Sequence, residues 1–424
     1  MLEINPKELI NRIPEKNLKD LKYIFEKVVQ QNQQIYLIGG SVRDLILNKT
    51  PNEYDLTTSL EPLEVKKIFK KVIDTGIKHG TVTVLINSTP YEITTFRKDI
   101  DYIDGRRPES VQFGATLSED LNRRDFTMNG IALDILNFKL VDEHNGISDI
   151  QQKRIKTIGD PFKRFSEDGL RPIRAIRFQS TLNFQIEKST FEAIDKTKSI
   201  IEKISKERFH DELIKILESN NPSLGIKELI ANSIFELFSK NNYNINHYKL
   251  ENLNFLIQNP VSLRLSYLIF EILGLKDEDS DEFFTRIRFS LKNQKESKFF
   301  YQIQNLSFDI FSEPRKFLSF YVKFIGNRND FSFLEPICSL LKINFPDNNV
   351  NQFMDELGLI LKNSEVALSL KDLNLDGNLL AQHFPTLEKK NYGLILNHLL
   401  EKVLKEPELN SFETLLKEVE INYN

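Results

Sequence analysis

The sequence predicts an α+β sheet domain at the N-terminus followed by an all-α remainder, and three observations carry that prediction. Short β-rich runs alternate with helical patterns from about Gln33 to Leu140. After Asp149 the strands stop. From there to the end, apolar residues recur at spacings of three and four, as in PIRAIRFQSTL, FHDELIKILES and FMDELGLILKN. The runs QIYLI, TVTVLI and YEITTF supply the strands, rich in the β-branched and aromatic residues that fit a pleated surface. Asn- and Pro-containing stretches such as SNNPS, KINFPDNNVN and KEPELN read as turns between helices.

With 424 residues and 40% hydrophobic content, the chain is expected to fold as two to four domains. The single cysteine, Cys338, can form no internal disulfide, which fits a reducing cytoplasm. The N-terminal MLEINPKELINRIPEKN is charged and broken by Pro6 and Pro14, unlike a secretory signal, and no window is apolar enough to suggest a membrane span. A net charge of −4 argues against a chain that coats nucleic acid over its whole surface. It leaves room for a local basic groove, because screening restricts each charge to roughly a Debye length.

Four local constellations carry chemistry. In IYLIGGSVRDLIL, Gly39 and Gly40 lie between a strand and an amphipathic helix bearing Arg43, an arrangement that serves either as a tight turn or as a phosphate cradle. In NEYDLTTS, Glu53 and Asp55 are two apart and would leave the same face of a strand. They are either solvated edge acids or a pair whose repulsion bound Mg²⁺ relieves. Glu92, in YEITTF, either completes that site or stands on an exposed strand face, while His79 reads as a structural turn residue. In SEDGLRPIRAIRF, Asp168, Arg171, Arg174 and Arg177 follow at spacings of three, which on one helix places an acceptor and three forked donors together. Such a face either forms a salt-bridge ladder or reads a base edge. Cytosine and adenine present the same donor–acceptor order there, and uracil and guanine the opposite one.

In order along the chain, IGGSVRD, EYDLTTS, HGTVTV, YEITTFR, DGRRPESVQF, DLNRRDFTMN and SEDGLRPIRAIRF resemble the class II CCA-adding and poly(A) polymerase family of nucleotidyltransferases, over roughly Gln33 to Phe178. The resemblance implies a polymerase-beta-like head over 1–150, a helical neck over 151–225, a body over 226–330 and an RNA-binding tail over 331–424. It implies addition of CCA to the 3′ end of tRNA from CTP and ATP, with Mg²⁺ as cofactor. Poly(A) synthesis, partial CC- or A-addition and a catalytically silent tRNA-binding protein are the alternatives. Carried over by position, Glu53 and Asp55 would hold the metal with Glu92 as a catalytic neighbour, and Gly39, Gly40 and Arg43 would meet the triphosphate. Arg123, Arg124, Asp125 and Asn129 would shape the nucleotide pocket, one of the two arginines binding the nucleotide. Asp168 and Arg171 would read the base, beside Arg174 and Arg177. Glu53 stands where the family usually has Asp, and Pro172 follows Arg171 directly, where a helix would begin or kink. The polar segment from Arg97 to Glu119 is expected to be a long loop, and the helices beyond Phe178 to hold the acceptor arm and elbow of tRNA. Lys203, Arg208 and Arg264 are among the basic residues that would line such a surface, and the phenylalanine-rich segments are expected in the core.

Overall fold

In the computed structural model, which describes residues 4–100, 110–306 and 309–423, the β-rich runs assemble into a seven-stranded sheet. The strands in chain order are β1 Ile35–Ile38, β2 Asp55–Thr58, β3 Val72–Gly76, β4 Thr81–Ile86, β5 Thr89–Thr95, β6 Arg97–Ile100, β7 Ser110–Phe113, β8 Ile131–Asp134 and β9 Lys139–Asp142. Past Asp149, where none was expected, come β10 Arg154–Ile155 and β11 Gln185–Ile186, a two-residue parallel pair too short to show a periodicity in sequence. The large sheet runs β3-β4-β5-β2-β1-β8-β9, and β6 and β7 form a separate antiparallel pair. Within the large sheet only β2 and β5 are parallel neighbours. That pairing sets Asp55 directly beside Glu92, so both carboxylates leave the same face. The helix Glu15–Val29 lays Leu21, Ile24, Phe25 and Val28, one helical stripe, against the sheet at β1.

At its described ends the segment expected as a loop, Arg97 to Glu119, carries regular structure. Its ends pair as β6 and β7, and Thr116 opens the helix Leu117–Asn122 through a reciprocal capping box with Glu119. Four-residue strands that pair only with each other carry too little periodicity to be legible in sequence. Residues 101–109, including Gly105 and Pro108, lie outside the described residues.

Beyond the sheet, the helix Leu170–Leu182 packs against the helices Lys206–Leu217 and Pro222–Ala231. Its crossing with the latter is close because Gly225 has no side chain. A Cβ there would stand 2.5 Å from Ser180 Oγ, which instead accepts a hydrogen bond from the Gly225 N–H at 3.0 Å. The preceding helix, Pro161–Glu167, ends before Asp168, whose backbone is extended (φ −145°, ψ 111°). Asp168 is therefore not on one helix with Arg171, Arg174 and Arg177, contrary to the sequence expectation. Pro172 supplies the reason: it has no N–H for the carbonyl of residue 168, and its ring would collide with that carbonyl in a continuous helix. As the third residue of the new helix it costs no hydrogen bond.

The chain divides into two compact units, Met1–Asn242 with Asp281–Phe289, and Tyr243–Ser280 with Ser290–Asn424. The segment expected as a neck thus belongs to the first unit with the sheet. The second unit is helical, and Phe299 stacks there between Phe320 and Phe324 while Phe270 stacks on Tyr301. The phenylalanine-rich segments lie in the cores as expected, except Phe255, which is 73% exposed. Arg264 is buried rather than on a surface. Among the described residues no helix is long and apolar enough to cross a membrane.

Candidate active site

The turn after β1 is built on a conformation that only glycine adopts readily. Gly39 has φ +71° and ψ −133°, and the helix Gly40–Ile46 follows at once. Ser41 Oγ ties this turn to β2, donating to the Ile38 carbonyl at 2.8 Å and accepting from the Asp55 N–H at 3.2 Å. Gly39 consequently sits beside the first residue of β2: a Cβ on it would lie 3.7 Å from Asp55 Oδ2 and 3.7 Å from Arg124 Nη1. The glycine turn, Asp55 and Arg124, one arginine of the Arg123-Arg124-Asp125 (RRD) motif, converge.

Glu53 does not share the strand. It lies in an exposed bend two residues before β2 begins, because Pro51 and Asn52 hold the approach out of the ladder. Its charge still reaches the site. Burial pushes the Asp55 carboxyl above its ordinary value; Arg124 pulls it back and Glu53 pushes it further up. Glu92 is exposed overall, yet the protein around its carboxyl raises it as well, followed by the charges of Asp55 and Glu53. Three carboxylates thus crowd one another at one end of the sheet. Among the described residues no three acidic, histidine or cysteine side chains close into a ready-made metal cage. Oxygen donors that repel one another and leave most of the coordination sphere open suit Mg²⁺, which usually takes one or two carboxylates plus waters and substrate phosphates.

Two further networks frame this corner. Arg43 is buried, donates to Asp44 at 3.0 and 2.7 Å through Nε and Nη2, and donates to Asn129 Oδ1 at 2.8 Å through Nη1. Asn129 passes the chain on to Asp125 at 3.2 Å, and Asp125 receives Arg174 at 2.8 and 2.6 Å. Burial alone would raise Asp125, but Arg174 and the Asn129 amide hold its carboxyl well below the usual carboxylate range. Phe178 lies beneath the cations, its ring centre 5.2 Å from the Arg43 guanidinium carbon, 5.4 Å from that of Arg174 and 3.9 Å from that of Arg177. Arg177 donates to the buried Glu212 at 2.5 Å.

The two arginines of the RRD motif separate in role. Both bind the fully buried Asp120, Arg123 at 2.9 and 2.6 Å and Arg124 at 3.0 Å. Arg124, facing Gly39 and Asp55, also has a buried Nε without a hydrogen-bond partner. A donor orphaned in this way is costly unless something arrives to accept from it.

Arg171 is only 8% exposed and is spent on the protein itself, donating to Glu167 at 2.5 Å, the Arg164 carbonyl at 2.8 Å and the Arg123 carbonyl at 3.0 Å. Asp168 is gripped by both ends of the Arg208 guanidinium, at 3.1 and 2.8 Å. Sequence reasoning missed Asp44, Asp120, Glu167, Phe178, Glu212 and the role of Arg208. The Asp120–Arg124 and Glu167–Arg171 pairs are four apart in sequence, the first running off the end of the helix Leu117–Asn122 and the second crossing the break at Asp168, and that spacing could have suggested them. His79 lies in a 3₁₀ turn where its carbonyl accepts from Arg97.

Residues 35–156 match the family described as "Poly A polymerase head domain", and residues 183–240 match "Probable RNA and SrmB-binding site of polymerase A". The CCA-adding enzyme of Ligilactobacillus salivarius is 42% identical over 228 residues, 54% of this chain and 56% of that protein. That of Lactobacillus johnsonii is 46% identical over 207 residues, 49% and 52% of the two chains. The match spans about half the length of these curated relatives. Among solved structures, the Bacillus stearothermophilus CCA-adding enzyme in complex with CTP superposes with a TM-score of 0.76 at 26% identity, covering 95% of this chain and 98% of that one. The Thermotoga maritima CCA-adding enzyme complexed with tRNA shares the fold, with a TM-score of 0.70 at 21% identity over 99% of each chain.

Proposed function

We propose that the chain is a member of the class II family of CCA-adding enzymes and poly(A) polymerases, as its matches over residues 35–156 and 183–240 support, and that it adds CCA to the 3′ end of tRNA from CTP and ATP without a template. The observation that carries the reading is the convergence of Gly39, Asp55 and Arg124 at one end of the sheet, with Glu92 beside Asp55. In the reaction the 3′-hydroxyl oxygen bonds to the α-phosphorus and pyrophosphate leaves. Asp55 and Glu53 are the residues that would hold Mg²⁺, which when bound lowers the pKa of the attacking hydroxyl and neutralises charge on the pyrophosphate. Glu92, beside Asp55, adds a third negative charge that favours cation binding. Arg124 offers its orphaned donor to the triphosphate, and the glycine turn lets the backbone approach it. Arg43, bound to Asp44 and Asn129, holds the turn and pocket together. In this reading the tRNA acceptor end and elbow are the partners, and the cytoplasm is the compartment.

Base choice falls to Asp168 as an acceptor for the amino group that cytosine and adenine share, beside Arg171 and the α-helical arginines 174 and 177. Both Asp168 oxygens already receive Arg208, so Arg208 fixes the direction in which Asp168 accepts. Arg208→Gln is expected to lower the ratio of kcat/KM for CTP over UTP about tenfold, a loss of roughly 1.4 kcal/mol of discrimination. An unchanged ratio would remove Arg208 from base selection.

The test of the whole reading is incorporation of CTP and ATP, separately and together with Mg²⁺, into tRNA lacking its CCA end, with products resolved by length. Three nucleotides, requiring both substrates, are expected. Long tails from ATP alone would identify a poly(A) polymerase, C-only or A-only products a partial enzyme, and binding without extension a silent tRNA-binding protein.

A further inference from the structure

The tract Lys66-Lys67-Ile68-Phe69-Lys70-Lys71 places four lysines in six residues of a chain whose net charge is −4. It leads from the helix Pro62–Ile68 toward β3, and it splits by burial: Phe69 turns into the core while Lys67, Lys70 and Lys71 stay exposed. Lys66 pairs with Asp74 at 2.9 Å, whereas the other three have no carboxylate partner among the described residues. Lys70 and Lys71 form one wall of a groove of about 680 Å³, faced by Tyr23 and by Lys19, which pairs with Glu15 at 2.8 Å, on the helix Glu15–Val29, and closed by the Asn87–Ser88 turn between β4 and β5.

The groove combines fixed positive charge with an open aromatic ring. Tyr23 is 44% exposed, rests edge-on against Phe69 with ring centres 6.4 Å apart, and has Lys27 Nζ 5.8 Å from its own centre. The one acid in the wall, Asp20, is 4% exposed and has its oxygens taken by Asn87 Nδ2 at 2.9 Å and the Tyr91 hydroxyl at 3.1 Å. Lysines around a ring with a free face match a nucleic-acid strand, whose phosphates take the charge and whose bases or sugars cover the ring. Position points the same way. Tyr91 and Glu92 are adjacent on β5 and so face opposite sides of the sheet. The Asn87–Ser88 turn lies four residues from Glu92 at its nearer end, roughly 13 Å of strand. The groove therefore opens around the edge from the carboxylate corner, at the same end of the same sheet.

We propose that this groove is a docking track for the phosphodiester backbone of the RNA substrate, engaging nucleotides behind the 3′ end that reaches Asp55. The inference rests on the functional reading above and adds to it a second RNA contact on the sheet unit. Compact lysine charges fix position without reading sequence, so the track serves any tRNA alike.

The experiment uses the full chain and a tRNA transcript lacking its last three nucleotides, with Kd measured over a series of KCl concentrations. Lys70→Gln/Lys71→Gln is expected to raise Kd roughly tenfold at about 0.1 M salt and to make the slope of log Kd against log salt shallower by about 2, one for each lost phosphate contact. The KM for CTP should stay unchanged. Lys70→Glu/Lys71→Glu should raise Kd further, and the charge-matched Lys139→Gln/Lys153→Gln, exposed and away from both the groove and the segment 183–240, should leave both Kd and slope as they were. An unaltered slope in the Lys70/Lys71 variants, or an equal loss in the Lys139/Lys153 control, overturns the track. Failure of the functional reading looks different, since the parent protein would then neither bind nor extend the transcript.

Discussion

Asp55→Asn is expected to reduce nucleotide incorporation by about 10³-fold or more, since a metal-holding carboxylate supports several kcal/mol of transition-state charge stabilisation. The same change is expected to make the metal-free protein more stable at neutral pH. Burial, with repulsion from Glu53, raises the Asp55 carboxyl above its ordinary value despite Arg124. A carboxyl raised in the fold is tolerated below its ordinary value of 3.8 and costs stability as pH rises through the folded value. Asparagine removes that cost, so its melting temperature should exceed the parent's at pH 7 without Mg²⁺, and the gap should close toward pH 4. Added Mg²⁺ should raise the melting temperature of the parent and not of the variant, because a ligand stabilises only the fold that binds it. Melting curves at two pH values, with and without Mg²⁺, check all of this. Activity within tenfold of the parent would sink the assignment of Asp55.

Asp125→Asn is expected to cost about 2 kcal/mol of stability, less than the ~3–5 kcal/mol of a fully buried broken pair because the Arg174 side chain is 32% exposed. What remains after the change is Arg174 without its counterion, near Arg177 and above the Phe178 ring. Asp125 is held below its ordinary value of 3.8, so its contribution is complete above that pH and is lost as pH falls toward the folded-state value. Urea denaturation of parent and variant should differ by that amount at pH 7 and converge in acid. Equal midpoints at pH 7 would mean that the Asp44–Arg43–Asn129–Asp125–Arg174 chain carries no net stability.

Reading the chain before its structure succeeded wherever the determining forces were local. The strand, glycine turn and helix from Ile35 to Ile46 need only apolar alternation and one backbone conformation reserved for glycine. The Asp55–Glu92 adjacency was left open because register between β2 and β5 depends on residues almost forty positions apart. Partner choice was illegible for the same reason. Nothing within a few residues of Arg177 announces Glu212, and nothing near Asp168 announces Arg208. The break at Asp168 was half legible: Pro172 marked the start or kink of a helix, and it forbids the single helix that the three-residue spacing suggested.

The return of Asp281–Phe289 to the sheet unit has a consequence for how the protein is made. Phe283 packs near Phe235 with ring centres 6.3 Å apart, and Phe289 lies edge-on to His210 at 4.6 Å. These rings leave the ribosome only after residues 243–280, which belong to the other unit. Domains usually complete in order of synthesis, N-terminal first. Here the sheet unit waits, with Phe235 lacking its ring contact to Phe283, until translation has passed Phe289.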